Sequence, residues 1–206
     1  MPPQAKNRQL DFIFDFASPN AYMAAMVIPG ILERTGATLN VIPCLLGGLF
    51  KATGNQAPFT AFGAIKGKMD YEMLESRRFV ARHGLTKFRM NPHFPINTLL
   101  IMRAFVAAGL EGVGERYMEA VLKAMWEDGQ NMGDPEVVAK VLTDAGLDAP
   151  ALLERAQTQE VKSILMSNTE TAADRGAFGI PTFFVGEEIF FGKERLGQVE
   201  EELAAT

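Results

Sequence analysis

Hydrophobic periodicity changes twice along this chain of 206 residues, and those two changes limit its fold more than any single residue does. Before the first change the order is strand, helix, strand. Residues 10–16 alternate loosely and read as an early core strand with its apolar centre at 12–16. From Asn20, the residues Tyr22, Met23, Met26, Val27, Ile31 and Leu32 keep helical spacing up to Arg34-Thr35-Gly36. Pro29-Gly30 lies inside that stretch and should kink the helix. Residues 37–43 then read as a second strand. A right-handed crossover would make the two strands parallel neighbours.

Residues 44–67 are Gly-rich and irregular, and helical periodicity takes over beyond them. Helices are expected over 71–83, 97–108, 112–127, 135–145, 148–156 and 160–175. Gly84, Gly109, Gly146 and Gly176 act as stops, and Asp134-Pro135 as a cap and first-turn pair. The second change follows. Residues 181–185 and 189–192 spell two short aromatic strands around a polar turn, and 193–205 a last helix. The implied class is α/β: the thioredoxin topology, with an all-helical domain inserted between its βαβ and ββα halves. On this reading 8–50 and 176–206 form the thioredoxin-like domain, 51–159 the insertion, and helix 160–175 the bridge.

Composition excludes several functions. Hydrophobic residues make up 48% and charged residues 22%, values of a soluble globular chain. A net charge of −5 without a basic tract argues against nucleic acid. Residues 1–8 lack the apolar core of a signal peptide, and no apolar run approaches the ~18 residues of a membrane span. A reducing cytoplasm is therefore the expected compartment. Cys44 is the single cysteine, so the chain has no dithiol chemistry of its own, and it reads as a small buried hydrophobe. With two histidines, His83 at a helix end and His93 in a loop, no metal site is expected.

Three short segments could carry chemistry. Ser18-Pro19 begins the first helix with a favoured cap and first-turn proline, and also puts a hydroxyl at the end of a strand. Gly179-Ile180-Pro181-Thr182 places an Ile-Pro bond at the head of a strand. In thioredoxin-like folds that proline is cis and lies beside the first helix, leaving the residue before it open to an extended peptide. Phe191-Gly192-Lys193-Glu194-Arg195-Leu196 opens a helix after a glycine turn; its N–H groups suit a carboxylate and Glu194 an amino group. Each has a plainer reading as a cap, a strand start or an acidic first turn. Together they suit a small peptide with a free amino-acid end and a thiol, which describes glutathione.

DFASPNAY, TGNQAP, NPHFPINT, GIPTFFV and FFGKERL, in this order, resemble the 2-hydroxychromene-2-carboxylate isomerase family, bacterial relatives of kappa-class glutathione transferases. The resemblance covers nearly the whole chain. Disulfide oxidoreductases of this fold carry Cys-x-x-Cys where this chain has Ser18-Pro19-Asn20-Ala21. The resemblance implies that Ser18 donates a hydrogen bond to the glutathione sulfur and that the Ile180 backbone, next to Pro181, pairs with the cysteinyl unit. It implies that Asn55 lines the site, and that Lys193 and Glu194 bind the γ-glutamyl end. That last pair departs from the small polar residue and aspartate common in relatives. Asn97 falls in a family segment but reads equally as a helix cap.

The implied activity interconverts 2-hydroxychromene-2-carboxylate and trans-o-hydroxybenzylidenepyruvate, a step in aromatic hydrocarbon breakdown, with glutathione as a cofactor that is not consumed. The substrate is then a small aromatic carboxylate in an apolar slot between core and insertion, with Phe59, Phe62, Phe88, Met90 and Trp126 as candidate lining. Relatives are often dimeric, and the insertion offers a surface for a homodimer. Two alternatives stay open: a kappa-like glutathione S-transferase or peroxidase, which consumes the thiol, and a noncatalytic thioredoxin-like module that binds peptides at the Ile180-Pro181 edge.

Overall fold

The computed structural model describes residues 8–205. Most of the segment that lacks an export-signal core, residues 1–7, lies outside them. The sheet has the strand order β2-β1-β3-β4, from β1 (Gln9–Phe14), β2 (Thr38–Pro43), β3 (Thr182–Val185) and β4 (Glu188–Phe191). β1 pairs parallel with β2 and antiparallel with β3, and β4 closes the hairpin. Leu10, Phe12, Ile13 and Phe14 are all buried, so β1 is covered on both faces, which explains its near-continuous apolar run. In register, Phe12 faces Val41 on one side and Phe183 on the other, and the Phe12 and Phe183 rings stack at 5.2 Å.

Helix α1 (Pro19–Thr35) crosses back between β1 and β2. Ser18 caps its start, and Gly36 at φ 68° closes its end by donating to the Leu32 carbonyl. Pro29 lies inside α1, which nevertheless continues to Thr35. Ile28 and Ile31 are both buried, so packing holds the helix on either side of the proline.

Two short helices, α2 (Leu46–Thr53) and α3 (Pro58–Phe62), occupy the stretch that reads as irregular in sequence. Neither has a capping side chain at its start, and α2 begins Leu-Gly-Gly, so only Gly54 after α2 and Pro58 at the start of α3 signal them. Gly48 has a packing reason. A Cβ there would come within 2.9 Å of Thr169 Cγ2 on α9 (Gln159–Asp174). Helices α4 (Lys68–Arg82), α5 (Leu99–Leu110), α6 (Gly114–Trp126), α7 (Pro135–Asp144) and α8 (Ala149–Arg155) follow the expected periodicity with ends displaced by a few residues. The expected last helix instead begins as a 3-10 turn, Lys193–Arg195, and continues as α10 (Leu196–Ala205).

The fold is thus an α/β thioredoxin-type sheet with a helical stretch between its two halves. α9 packs on α2, α5 and β2, while α1 packs on α10. α5 buries seven of its residues, including Met102 and Phe105. α4 buries none, and its packing is chiefly against α3.

Candidate active site

The site grows from the end of β1, where the chain turns into α1. Asp15 is 1% exposed. Its carboxylate accepts from the Ala17 N–H at 2.9 Å, the Leu46 N–H at 2.8 Å and the Thr98 hydroxyl at 2.7 Å. One side chain therefore fastens the β1–α1 turn, the start of α2 and the start of α5 to a common point. Burial pushes the Asp15 carboxyl above the ordinary carboxylate value, against the pull of those three hydrogen bonds. An aspartate within the apolar run DFIFDF was the available sequence signal, since an unpaired acid is seldom buried without a structural or chemical task.

Ser18 follows, 5% exposed. Its Oγ accepts from the Ala21 N–H at 3.2 Å, the helix cap, and donates to the Ile180 carbonyl at 2.9 Å. The Ile180-Pro181 peptide is cis. Gly192 N–H donates to the Pro181 carbonyl at 2.9 Å, and Thr182 Oγ1 to the Gly179 carbonyl at 2.7 Å. The Ile180 backbone is accordingly not open on both sides. Ser18 takes the carbonyl, and the Ile180 N–H has no acceptor among the described residues. Pro181 is buried behind Ile180.

Ser18 and Ile180 lie in a cleft of about 670 Å³, a size suited to a small-molecule ligand. Its walls are aromatic: Phe50, Phe59, Phe62, Phe94, Phe178 and Phe191. Phe178 and Phe191 pair at 4.5 Å, and Phe59 meets Phe94 edge-on at 6.3 Å. Gly179 makes the first pair possible, because a Cβ there would lie 2.8 Å from the Phe191 ring. Polar groups come from Ser18, Asn20, Thr53, Asn55 and Gln56, and every lining residue is uncharged. Asn55 donates from Nδ2 to the Phe178 carbonyl at 2.8 Å and accepts from the Gln56 N–H at 2.8 Å, which ties the α2–α3 loop to the segment between α9 and β3.

Phe59, Phe62 and Met90 line this cleft; Phe88 and Trp126 do not. Trp126 is fully buried with its Nε1–H donating to the Phe16 carbonyl at 3.1 Å, and Phe88 stacks between Tyr22 and Trp126. Phe50, Phe94, Phe178 and Phe191 complete the aromatic walls from four separate segments, so no spacing in the sequence groups them.

Lys193 and Glu194 stand apart from the cleft. They line a second cavity of about 420 Å³, together with Arg34, Arg78, Arg82 and Glu200. Lys193 is 3% exposed, pairs with Glu194 and lies 5.5 Å from the Phe79 ring centroid. Gly192, at φ 92°, carries the chain out of β4, and the next residue, Lys193, is buried against Phe79 of α4 while Glu194 stays exposed at the same cavity rather than beside Ser18. The three sequence segments therefore meet, and the third reaches the cleft through Phe191 alone, while Lys193 and Glu194 line the second cavity. His83 lines the charged cavity, where burial and the charge of Arg82 hold its pKa below the ordinary histidine value. Asn97 accepts from the Leu99 N–H at 3.0 Å, as a helix-start residue does.

Cys44 is buried, with its Sγ 3.4 Å from the Asn168 carbonyl. Burial, with the charge of Asp15 adding to it, pushes the thiol up to about 12 despite a hydrogen bond with Thr169. It is therefore protonated and sheltered. Among the described residues no group of three or more His, Cys, Asp or Glu could hold a metal ion, and no helix is long and apolar enough to cross a membrane.

A family model described as a DSBA-like thioredoxin domain matches residues 9–204. The chain is similar to the 2-hydroxychromene-2-carboxylate isomerase of Sphingobium xenophagum, at 28% identity over 196 residues covering 94% of this chain and 96% of that protein. It is similar to glutathione S-transferase kappa 1 of Rattus norvegicus, at 25% identity covering 92% of this chain and 88% of that one. Among solved structures, a 2-hydroxychromene-2-carboxylate isomerase superposes with a TM-score of 0.82 at 25% identity, covering 96% of this chain and 95% of that chain.

Proposed function

We propose, from the premise that the chain belongs to the DSBA-like thioredoxin domain family, that it is a glutathione-dependent isomerase of a small aromatic carboxylate. The substrate pair is 2-hydroxychromene-2-carboxylate and trans-o-hydroxybenzylidenepyruvate or a close analogue. One observation carries the reading. Ser18 and Ile180 meet at an uncharged, aromatic-walled cleft where the fold's redox relatives keep a cysteine pair. The chain's one thiol is buried and protonated, so the nucleophile has to be borrowed.

The residues present suit glutathione. The Ile180 N–H is a free donor for an extended cysteinyl unit, and the cleft volume accommodates a ligand of that size with a planar aromatic beside it. The chemistry glutathione supplies when bound is a reversible thiolate addition to the conjugated carbon, the π pair moving to the carbonyl oxygen and returning when sulfur is expelled. The chain's part is to hold a sulfur anion and to fix the aromatic ring. Bringing a thiol from ~8.5 to ~6.5 requires ~2.7 kcal/mol of differential stabilisation. The N-terminus of α1 offers ~0.3–2 kcal/mol and one hydrogen bond to a charged group ~1.5–3, so the two suffice. The gain in thiolate is partly cancelled by its lower nucleophilicity, leaving about threefold at a Brønsted slope of ~0.45. Orientation by the aromatic walls is the larger contribution. Asn55 serves it by pinning the loop that carries Phe178.

Lys193 and Glu194 neutralise each other in the charged cavity, so the cleft-facing part of this proposal does not depend on them. The reading carries with it a cytoplasmic setting, where glutathione is available. Similarity to the kappa transferase supports a second reading in which the same thiolate is consumed on an electrophile. A product assay with substrate and glutathione decides between them. Isomerisation with total free thiol unchanged supports the isomerase, and stoichiometric thiol loss supports the transferase.

A further inference from the structure

Helix α2 borders two hollows. Leu46, Phe50 and Thr53, at helical spacing, line the aromatic cleft. Gly48 and Lys51 lie on another face, in a separate groove of about 560 Å³ that α5 and α9 complete. Spacing on those two helices sets what the groove contains. Leu99 and Arg103 are four residues apart on α5 and share a face, as Lys162 and Met166 do on α9. Each of these cations therefore stands one turn from an apolar neighbour. Leu45, at the start of α2, adds a third apolar residue to the same groove.

Charge is the second observation. Lys51, Arg103 and Lys162 share the groove with one carboxylate, Glu170, which leaves two positive charges in excess on a chain of net charge −5. None of the three cations makes a hydrogen bond or an ion pair among the described residues. Arg34, Lys68 and Lys140, by contrast, each pair with a carboxylate on an exposed helix face. Arg103 and Lys162 are also half-buried, so water screens them less than it would on an open surface. Three converging, unpaired cations repel one another, and a bound anion relieves that repulsion.

We infer that this groove is a binding site for a small aromatic carboxylate, with the ring against Leu45, Leu99 and Met166 and the carboxylate among Lys51, Arg103 and Lys162. The volume suits a small-molecule ligand. Charge by itself attracts any anion, and the apolar residues select one with a flat body, to which the flexible Met166 thioether can adapt. The site is distinct from the cleft, whose lining is uncharged, and it does not depend on the glutathione reading.

The test is calorimetric titration of the intact protein with 2-naphthoate, beside 2-naphthalenemethanol and inorganic phosphate. Saturable binding of 2-naphthoate is expected, about tenfold tighter than that of the neutral alcohol or of phosphate. Replacing Lys51, Arg103 and Lys162 together (Lys51→Gln, Arg103→Gln, Lys162→Gln) should remove one such site or weaken it about tenfold. Each single substitution should weaken it about two- to fivefold, which keeps the effect readable if the triple variant loses stability. These changes break no ion pair, so the melting temperature should hold. Raising the ionic strength from ~0.05 to ~0.5 M should weaken the same site several-fold. Equal number and affinity of 2-naphthoate sites in wild type and triple variant would overturn the inference, since any site that survives there belongs to the uncharged cleft. Phosphate binding as tight as that of 2-naphthoate would overturn the aromatic part, and no binding at millimolar 2-naphthoate would overturn the whole.

Discussion

Asp15 does its structural work as an acceptor, and each of its three donors belongs to a different element. Asp15→Asn keeps the shape but turns an amide N–H toward one of those donors. A cost of about 1–3 kcal/mol is expected, read by chemical denaturation at neutral pH. The sign of the pH effect also follows. The folded carboxyl titrates above its unfolded value, so between the two the native state holds more protons. Stability from this residue falls as pH rises through that window, and Asp15→Asn should remove that component. An unchanged slope would place the wild-type pH dependence elsewhere. Cys44 gives a second check at this scale. Its thiol is buried and pushed up to about 12, so the native protein should resist an alkylating reagent at pH values where free thiols react, and become reactive only on unfolding.

Among the elements, α2 shows what packing adds to a sequence. Gly47-Gly48 gives no helical signal, yet Gly48 lies against Thr169 of α9. Gly48→Ala should gain up to ~1 kcal/mol of helix propensity, offset by the 2.9 Å approach to Thr169 Cγ2. In a Thr169→Ser background that methyl is gone, and the same substitution should be clearly more stabilising. Equal effects in both backgrounds would contradict the contact. The elements with strong periodicity, β1, α1 and the run from α4 to α9, were legible because their apolar spacing and glycine stops agree. The site was legible in part. Ser18, Ile180 and Asn55 could be placed by motif. The direction of Lys193 and Glu194 could not, because it depends on Gly192 at φ 92° and on Phe79 of α4 lying over Lys193, and α4 has no buried residue to announce its position. Likewise, which group the Ser18 proton reaches is a matter of geometry 162 residues away in sequence.

Across the whole molecule, charge and chemistry are separated. The net charge is −5, and a cavity rich in arginine and glutamate lies between α1, α4 and the last helix, but the aromatic cleft is uncharged. A ligand held in the cleft by amides and ring contacts should bind with little salt dependence, about twofold or less between ~0.05 and ~0.5 M ionic strength. A steep loss with salt would instead implicate the cavity that holds Lys193 and Arg82. The proposed function requires the cleft at Ser18 and Ile180 to take a thiol peptide, and calorimetric titration with glutathione beside S-methyl glutathione is the measurement that decides it. Saturable binding of glutathione that weakens when the sulfur is methylated is the predicted result. No heat of binding at millimolar glutathione, or equal binding of both ligands, would contradict it.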